Sequence, residues 1–221
     1  MQAAPPREIY LVRHGETAWS LTGRHTGLTD LPLTEHGETQ AQRLKERLGA
    51  MRFTHVFSSP LKRARRTGEL AGFAGSIVLD PDLYEWNYGR YEGRTLEDIR
   101  RAQPDWELFR DGCPGGESVA EITERVDLLV ARLRTLCGRV LIFSSGHVLR
   151  VLAARWVGSP TMFGRGLALD PACLSVLGYD HGGSDRVIRL WNDARQDVET
   201  VSRECSFAES LGIISEEGKP R

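Results

Sequence analysis

The sequence predicts an α/β fold built on a mostly parallel sheet. Short apolar runs alternate with stretches of helical periodicity, as βαβ units require. Two of the runs, Ile9-Tyr10-Leu11-Val12 and Val140-Leu141-Ile142-Phe143, stop at small or charged residues: Arg13-His14-Gly15 and Ser144-Ser145-Gly146. Open α/β sheets bind ligands at the carboxyl ends of their strands. These two turns are therefore where a site is expected.

Taken in order, Ile9–Val12 reads as a buried strand. Thr34 to Leu48 reads as a helix, with Thr34 at its start and Gly37, Ala41, Leu44 and Leu48 at helical spacing. His55 to Pro60 is a second strand and turn, Arg63 to Ala71 a helix, and Ile77–Leu79 a third strand. Thr95 to Arg101 and Trp106 to Arg110 are short helical pieces. Ser118 to Leu136 is the longest helix, its face marked by Val119, Ile122, Val126, Leu129, Leu133 and Leu136. Val140–Phe143 is a strand, and a helix from His147 to Trp156 follows it. Leu174–Tyr179 and Val187–Trp191 close the fold as strands around a Gly182-Gly183 turn. A single domain over residues 1–191 is expected, with a more polar tail over 192–221. The apolar patch Leu211-Gly212-Ile213-Ile214 suits a tail folded over the site mouth, and a mobile tail fits equally. An exposed edge near Val187–Trp191 suits a homodimer, and a monomer fits as well.

The 221 residues carry 29 Lys plus Arg against 30 Asp plus Glu, a net charge of −1. That balance argues against nucleic-acid binding by bulk phosphate neutralisation. No run approaches the roughly 18 apolar residues of a membrane helix, so no membrane partner is expected. The start, Met1 to Arg7, has no apolar core of a secretory signal, and a cytoplasmic location is the expectation. The four cysteines, Cys113, Cys137, Cys173 and Cys205, have no metal-ligand spacing and read as reduced thiols. Neither a metal nor another cofactor is expected.

Arg13-His14-Gly15-Glu16-Thr17 is the most informative string. His14, at a strand end, has a ring nitrogen free for a cleft, and Arg13 supplies a planar fork suited to phosphate. A histidine bonded into its turn, with Arg13 in a surface ion pair, fits the triplet equally well. Arg63 falls in the first turn after a strand, where a guanidinium joins helix N-terminal N–H groups. The nearby Lys62, Arg65 and Arg66 read as a solvated face. Glu85 sits between Tyr84 and Trp86, surroundings that raise a carboxyl pKa and keep a proton for donation. An exposed loop Glu is the alternative. His25-Thr26-Gly27 offers hydroxyl and backbone donors near a tight turn.

Together these strings resemble the histidine phosphatase superfamily, also called phosphoglycerate mutase-like. Arg13 to Thr17, Ser59 to Ala64 (S-x-L-x-R-A), Glu85 to Gly89 (E-x-x-Y-G) and Pro114 to Ser118 occur in family order from about Ile9 to Trp191. The resemblance implies a three-layer α/β/α sandwich and phosphohistidine chemistry without metal. It makes His14 the nucleophile, Arg13 and Arg63 a clamp on the phosphoryl oxygens, and Glu85 the acid and then the base. It places phosphate or substrate contacts at Ser20 and Thr26 and a substrate wall at Tyr88. Arg24 and His25 suit a distal phosphate or hydroxyl, or are ordinary loop polarity. The chemistry stands on its own terms, because phosphoryl transfer needs in-line placement and neutralised charge.

One departure stands out. The family places a second catalytic His directly before the Gly of the later turn, and here Ser145 precedes Gly146, with His147 beyond it. Ser145 donates one hydrogen bond but no charge, and a helix cap is its alternative role. Losing one charged donor costs roughly 10²–10³ in rate. Leu96 stands where the family's mutases carry a Lys, which favours hydrolysis of a phosphomonoester. The motifs look most like the sedoheptulose-bisphosphatase-type branch, so the expected partner is a small phosphorylated sugar or sugar acid. An impaired phosphometabolite-binding protein, a protein phosphohistidine or phosphotyrosine phosphatase, and a phosphoglycerate mutase are the alternatives.

Overall fold

The computed structural model describes residues 8–195. The readings made for the tail beyond residue 195, Cys205 included, lie outside the described residues. The strands are β1 (Glu8–Arg13), β2 (His55–Ser58), β3 (Ile77–Leu79), β4 (Arg139–Ser144), β5 (Leu174–Asp180) and β6 (Asp185–Asp193). The helices are α1 (Ala18–Leu21), α2 (Glu35–Gly49), α3 (Lys62–Gly68), α4 (Leu96–Ala102), α5 (Leu108–Asp111), α6 (Val119–Leu133) and α7 (Gly146–Trp156).

The six strands form one sheet in the order β3-β2-β4-β1-β5-β6. β1 to β4 are mutually parallel and β5 alone runs against them. Alternating side chains send each central strand's residues to two cores. On one face Ile9, Leu11, Val140 and Ile142 pack with Ile122 and Leu129 of α6 and Val148 and Leu152 of α7. On the other, Tyr10, Val12, Leu141 and Phe143 pack with Leu44 and Leu48 of α2. The result is the expected α/β/α sandwich. Among the described residues no helix is long and apolar enough to cross a membrane.

Local chemistry sets the helix ends. Thr34 caps α2 by accepting from Gly37 N–H at 3.0 Å. Ser118 and Glu121 close a capping box on α6. That helix stops at Leu133, short of the Leu136 expected, and Gly138 follows with a φ of +83°. The helix after β2 is α3 as far as Gly68 and continues as a wider turn over Glu69–Phe73, with Gly72 at φ 96°. Strand β6 lies at the sheet edge, as expected, and runs two residues past Trp191 to Asp193.

The topology positions the site. β2 and β3 lie to one side of β4 and β1, and β5 and β6 to the other. The chain thus reverses its direction of growth beside the β4–β1 pair, where such sheets open a crevice. Arg13 is in register with Ser144, so the turns after β1 and β4 lie side by side. His14 N–H donates to Ser144 O at 2.8 Å and joins them.

The turn after β1 also runs against the start of α2. A Cβ at Gly15 would lie 2.4 Å from Gly37 O, and one at Gly37 would lie 2.2 Å from Glu16 O. Alanine at position 37 improves helix propensity by about 1 kcal/mol, but here it meets backbone. Gly37→Ala is expected to lower stability by about 1–3 kcal/mol, read from urea denaturation. Unchanged or increased stability would show that this contact is not tight.

Candidate active site

Beyond the ends of β1 and β4 lies a cavity of about 410 Å³. Ten of the residues expected from the sequence line it. Arg13, His14, Glu85, Gly146 and His147 come from the inner part, and Ser20, Arg24, His25, Thr26 and Tyr88 from the loops above.

His14 is buried, and its Nδ1 lies 2.8 Å from Gly15 O. A carbonyl oxygen only accepts, so Nδ1 carries the proton and donates it. Nε2 keeps its lone pair. Burial, then the charges of Arg63 and Arg13, hold the ring's pKa well below its ordinary value. The imidazole is therefore neutral and nucleophilic at neutral pH. The turn itself is pinned from α3, where Thr67 Oγ1 accepts from Gly15 N–H at 3.0 Å.

The two arginines differ in their state. Arg13 donates from Nη1 to Leu169 O, and its buried Nε–H has no hydrogen-bond partner. Arg63 is fully buried and does not line the cavity. Its Nη1 donates to Thr29 O at 2.9 Å, and its Nη2 to Thr26 O at 2.9 Å and Gly27 O at 2.8 Å. The two arginines expected as a clamp are therefore placed differently: Arg13 lines the cavity and Arg63 does not. Arg63 holds the 26–29 loop with its two terminal nitrogens and stands behind the cavity as a fixed charge. Its Nε–H is buried and unpartnered, like that of Arg13. Unpaired buried donors are costly unless an acceptor arrives, and the Arg13 donor at the cavity, with the Arg63 charge behind it, suits the site to an anion.

Glu85 is buried, but the aromatic enclosure read from its neighbours is not what holds it. Oε1 accepts from Trp86 N–H at 2.9 Å and Val148 N–H at 2.8 Å, and Oε2 accepts from His147 N–H at 3.0 Å. Two of these donors belong to the first turn of α7. Glu85 thus caps α7 from a distant loop, and its carboxylate meets the helix's positive end. Trp86 turns away, its indole N–H donating to Glu117 O at 2.9 Å.

That arrangement also corrects the capping role considered for Ser145. Ser145 occupies the cap position of α7 but makes no side-chain capping bond. Its buried hydroxyl instead accepts from Arg63 Nη2 at 3.4 Å, and it does not line the cavity. Gly27 also lies outside the lining, its N–H donating to Glu92 Oε1 at 2.8 Å. Ser20 and Thr26 reach the cavity, but their hydroxyl protons go to Thr17 O at 3.0 Å and Arg24 O at 3.1 Å. As they stand, both hydroxyls are acceptors and not donors toward a phosphate.

One wall is a cluster of rings. Tyr88 Oη lies 2.5 Å from His147 Nδ1. His25 sits edge-on to Tyr88, with centroids 4.9 Å apart, and to Trp106 at 5.6 Å. Its Nδ1–H donates to Arg94 O at 2.9 Å, which leaves Nε2 as an acceptor. Burial lowers the pKa of both His25 and His147, and that of His147 is pushed further down by Arg150. Burial raises the Tyr88 pKa well above its ordinary value. The wall is therefore uncharged and carries hydrogen-bonding atoms.

The sequence reading missed Arg100, Trp106, Phe109, Arg150 and Arg165, which also line the cavity. Arg150 had a signal, since it follows His147 by three residues on α7 and so shares its face. Arg100 had none. It comes from α4, which only the tertiary fold brings to the mouth.

The profile of the histidine phosphatase superfamily (branch 1) matches residues 9–194. An acid phosphatase of Mycobacterium tuberculosis is 43% identical over 178 residues, covering 79% of this chain and 87% of that protein. A sedoheptulose 1,7-bisphosphatase of Saccharomyces cerevisiae is 37% identical over 190 residues, covering 72% of this chain and 70% of that protein. A solved structure of an open reading frame product from Mycobacterium tuberculosis superimposes with a TM-score of 0.80 at 39% identity, covering 84% of this chain and 97% of that one.

Buried neutral histidines make stability depend on pH. Below about 6.5 the unfolded chain protonates at position 14 while the folded protein does not, so stability falls with falling pH until the lowered folded pKa is reached. The slope is at most about 1.4 kcal/mol per pH unit for this ring. Urea denaturation is expected to show lower stability at pH 5.5 than at pH 7, and a shallower dependence in His14→Asn. A flat profile in the parent protein would contradict the burial of an uncharged imidazole.

Proposed function

We propose a substrate class and a mechanism from the premise that the chain belongs to the histidine phosphatase superfamily and is a phosphomonoesterase. The substrate is a small phosphorylated sugar or sugar acid. The reaction passes through a phosphohistidine on His14 and needs no metal. One observation carries this reading: a neutral imidazole with a free Nε2 lies within the electrostatic reach of two arginines whose buried Nε–H groups lack acceptors.

In the first half-reaction Nε2 of His14 attacks phosphorus and the phosphorus–oxygen ester bond breaks. Arg13 and Arg63 offset the charge spread over the transferring oxygens. Glu85 Oε2, which accepts only one backbone bond, is the position from which a proton passes to the leaving alkoxide. In the second half-reaction the same carboxylate takes a proton from water, which attacks phosphorus and frees His14. The guanidiniums supply the positive charge that a metal ion supplies in other phosphatases.

The size and walls of the cavity support a small substrate. About 410 Å³ bounded by Tyr88, Trp106 and Phe109 suits a metabolite better than a peptide side chain presented from a flat surface. The yeast relative's name specifies a sugar bisphosphate, which fits this class. Leu96 lines the cavity at the position where the family's mutases carry a Lys, which supports hydrolysis over mutase chemistry. Because phosphorylated metabolites are charged and stay where they are made, the proposed setting is cytoplasmic.

Ser145 favours a second reading, a slow enzyme that mainly binds its phosphorylated ligand. Arg63 reaches its hydroxyl at 3.4 Å, but no titratable cation occupies the position. Rapid-quench labelling with a ³²P-labelled sugar phosphate separates the two. The proposed enzyme gives an acid-labile, base-stable phosphoprotein that vanishes in His14→Ala and persists in excess EDTA. Binding without label would support the second reading. Ser145→His is expected to raise turnover, by roughly 10²–10³-fold at most. A clear drop in turnover by a folded Ser145→His protein would show that the serine is suited to the reaction as it is.

A further inference from the structure

Pro114-Gly115-Gly116-Glu117-Ser118 lines no part of the cavity, yet it lies against the segment that carries Glu85. Arg90 N–H donates to Pro114 O at 3.0 Å, and Glu117 N–H donates to Asn87 O at 2.9 Å. Between these bonds the two backbones meet with no room for a side chain. A Cβ at Gly116 would lie 2.1 Å from Asn87 O, and one at Gly89 would lie 2.3 Å from Gly116 N. Ser118 is accounted for by the cap of α6. The carboxylate of Glu117 instead faces Arg125, in the second turn of that helix. Arg125 Nε donates to Oε1 at 2.8 Å and Nη2 to Oε2 at 2.9 Å, a two-pronged ion pair.

The pair grips the chain on both sides of Glu85. Before it, Arg125 Nη1 donates to Asp82 O at 2.7 Å and to Tyr84 O at 2.9 Å. After it, Glu117 Oε2 accepts from Asn87 N–H at 2.8 Å, and Glu117 O accepts from the Trp86 indole N–H at 2.9 Å. Residues 82, 84, 86 and 87 are thus held by two side chains that are only 18% and 19% exposed. A single guanidinium does this because its planar fork presents one edge to the carboxylate and its other nitrogen to the two carbonyls, which an ammonium cannot do. Glu85 cannot be displaced along this loop without breaking charge-assisted bonds.

We propose that Glu117 and Arg125 are positioning residues for proton transfer by Glu85. They hold its carboxyl within reach of the ester oxygen, so that the proton passes from Glu85 to that oxygen as the phosphorus–oxygen bond breaks. The proposal rests on the acid role given to Glu85 above and adds to it two residues outside the cavity. Proton transfer demands hydrogen-bond contact with the reacting oxygen, so a small displacement of the loop is felt in the rate even when the fold survives. The effect is confined to leaving groups that need a proton.

The test compares p-nitrophenyl phosphate, whose phenolate leaves unprotonated, with benzyl phosphate, a ring of similar size whose alkoxide must be protonated. The quantity read is the ratio of their kcat/KM values, which reports the steps up to release of the alcohol. Glu117→Gln keeps the shape of the side chain but removes the ion pair. It is expected to raise the nitrophenyl-to-benzyl ratio about tenfold or more, with the larger loss on the benzyl ester. Glu85→Gln is expected to raise the ratio by roughly 10²-fold or more, and Glu117→Gln adds nothing further in that background. A merely structural role would lower both esters alike, so an unchanged ratio in a folded Glu117→Gln protein overturns the proposal while Glu85 keeps its role. An equal rise with and without Glu85 also overturns it. An unchanged ratio in Glu85→Gln removes the acid role of Glu85 itself, and the proposal with it. If Glu117→Gln does not fold, Arg125→Lys, which keeps the charge but not the fork, is read in the same way.

Discussion

An imidazole enclosed by protein and flanked by two guanidiniums cannot afford a charge of its own. That constraint on His14 organises the rest of the site. The hydrogen bond from Nδ1 to Gly15 O fixes the tautomer, and the neighbouring arginines keep Nε2 unprotonated. The carbonyl that accepts this bond belongs to a glycine because α2 passes too close for any side chain. That packing holds the carbonyl in place, and the bond to it leaves Nε2 as the ring nitrogen with a free lone pair. The sheet does the remaining work, since parallel pairing of β1 and β4 in register brings the second turn beside the first.

The start of α7 shows how the same few groups serve structure and chemistry together. Its cap-position serine points toward Arg63, and the cap is delivered by Glu85 from another segment. The carboxylate proposed to transfer protons is thereby anchored to the helix that also carries His147 and Arg150. Substituting Glu85 touches helix stability and the reaction at once. Arg63 is divided in a similar way, its hydrogen bonds given to the 26–29 loop and its charge to the cavity. Neither residue can be assigned to folding or to catalysis alone.

The strand ends, the alternation of elements and the cluster of His14, Arg13 and Glu85 were legible in the sequence, because each depends on local pattern or on the position of a residue at a strand terminus. The environment of Glu85 was not, because two of its three partners are backbone N–H groups more than sixty residues away, which no side-chain neighbour announces. Ser145 looked like a helix cap because it precedes a helix; only the fold shows that a distant carboxylate has taken that task. The resemblance gave Ser20 and Thr26 phosphate or substrate contacts, but local turns use their hydroxyl protons. Arg100 was invisible for a topological reason, since α4 reaches the cavity only after the whole loop region folds over the sheet.

The state of one ring carries the account, and it is directly observable. Two-dimensional ¹⁵N–¹H spectra of protein labelled at histidine, assigned with His14→Gln, report both the tautomer and the protonation of position 14. The expected result is a neutral ring with the proton on Nδ1 that does not titrate between pH 8 and pH 6. A ring protonated at pH 6, or one with its proton on Nε2, would contradict the account.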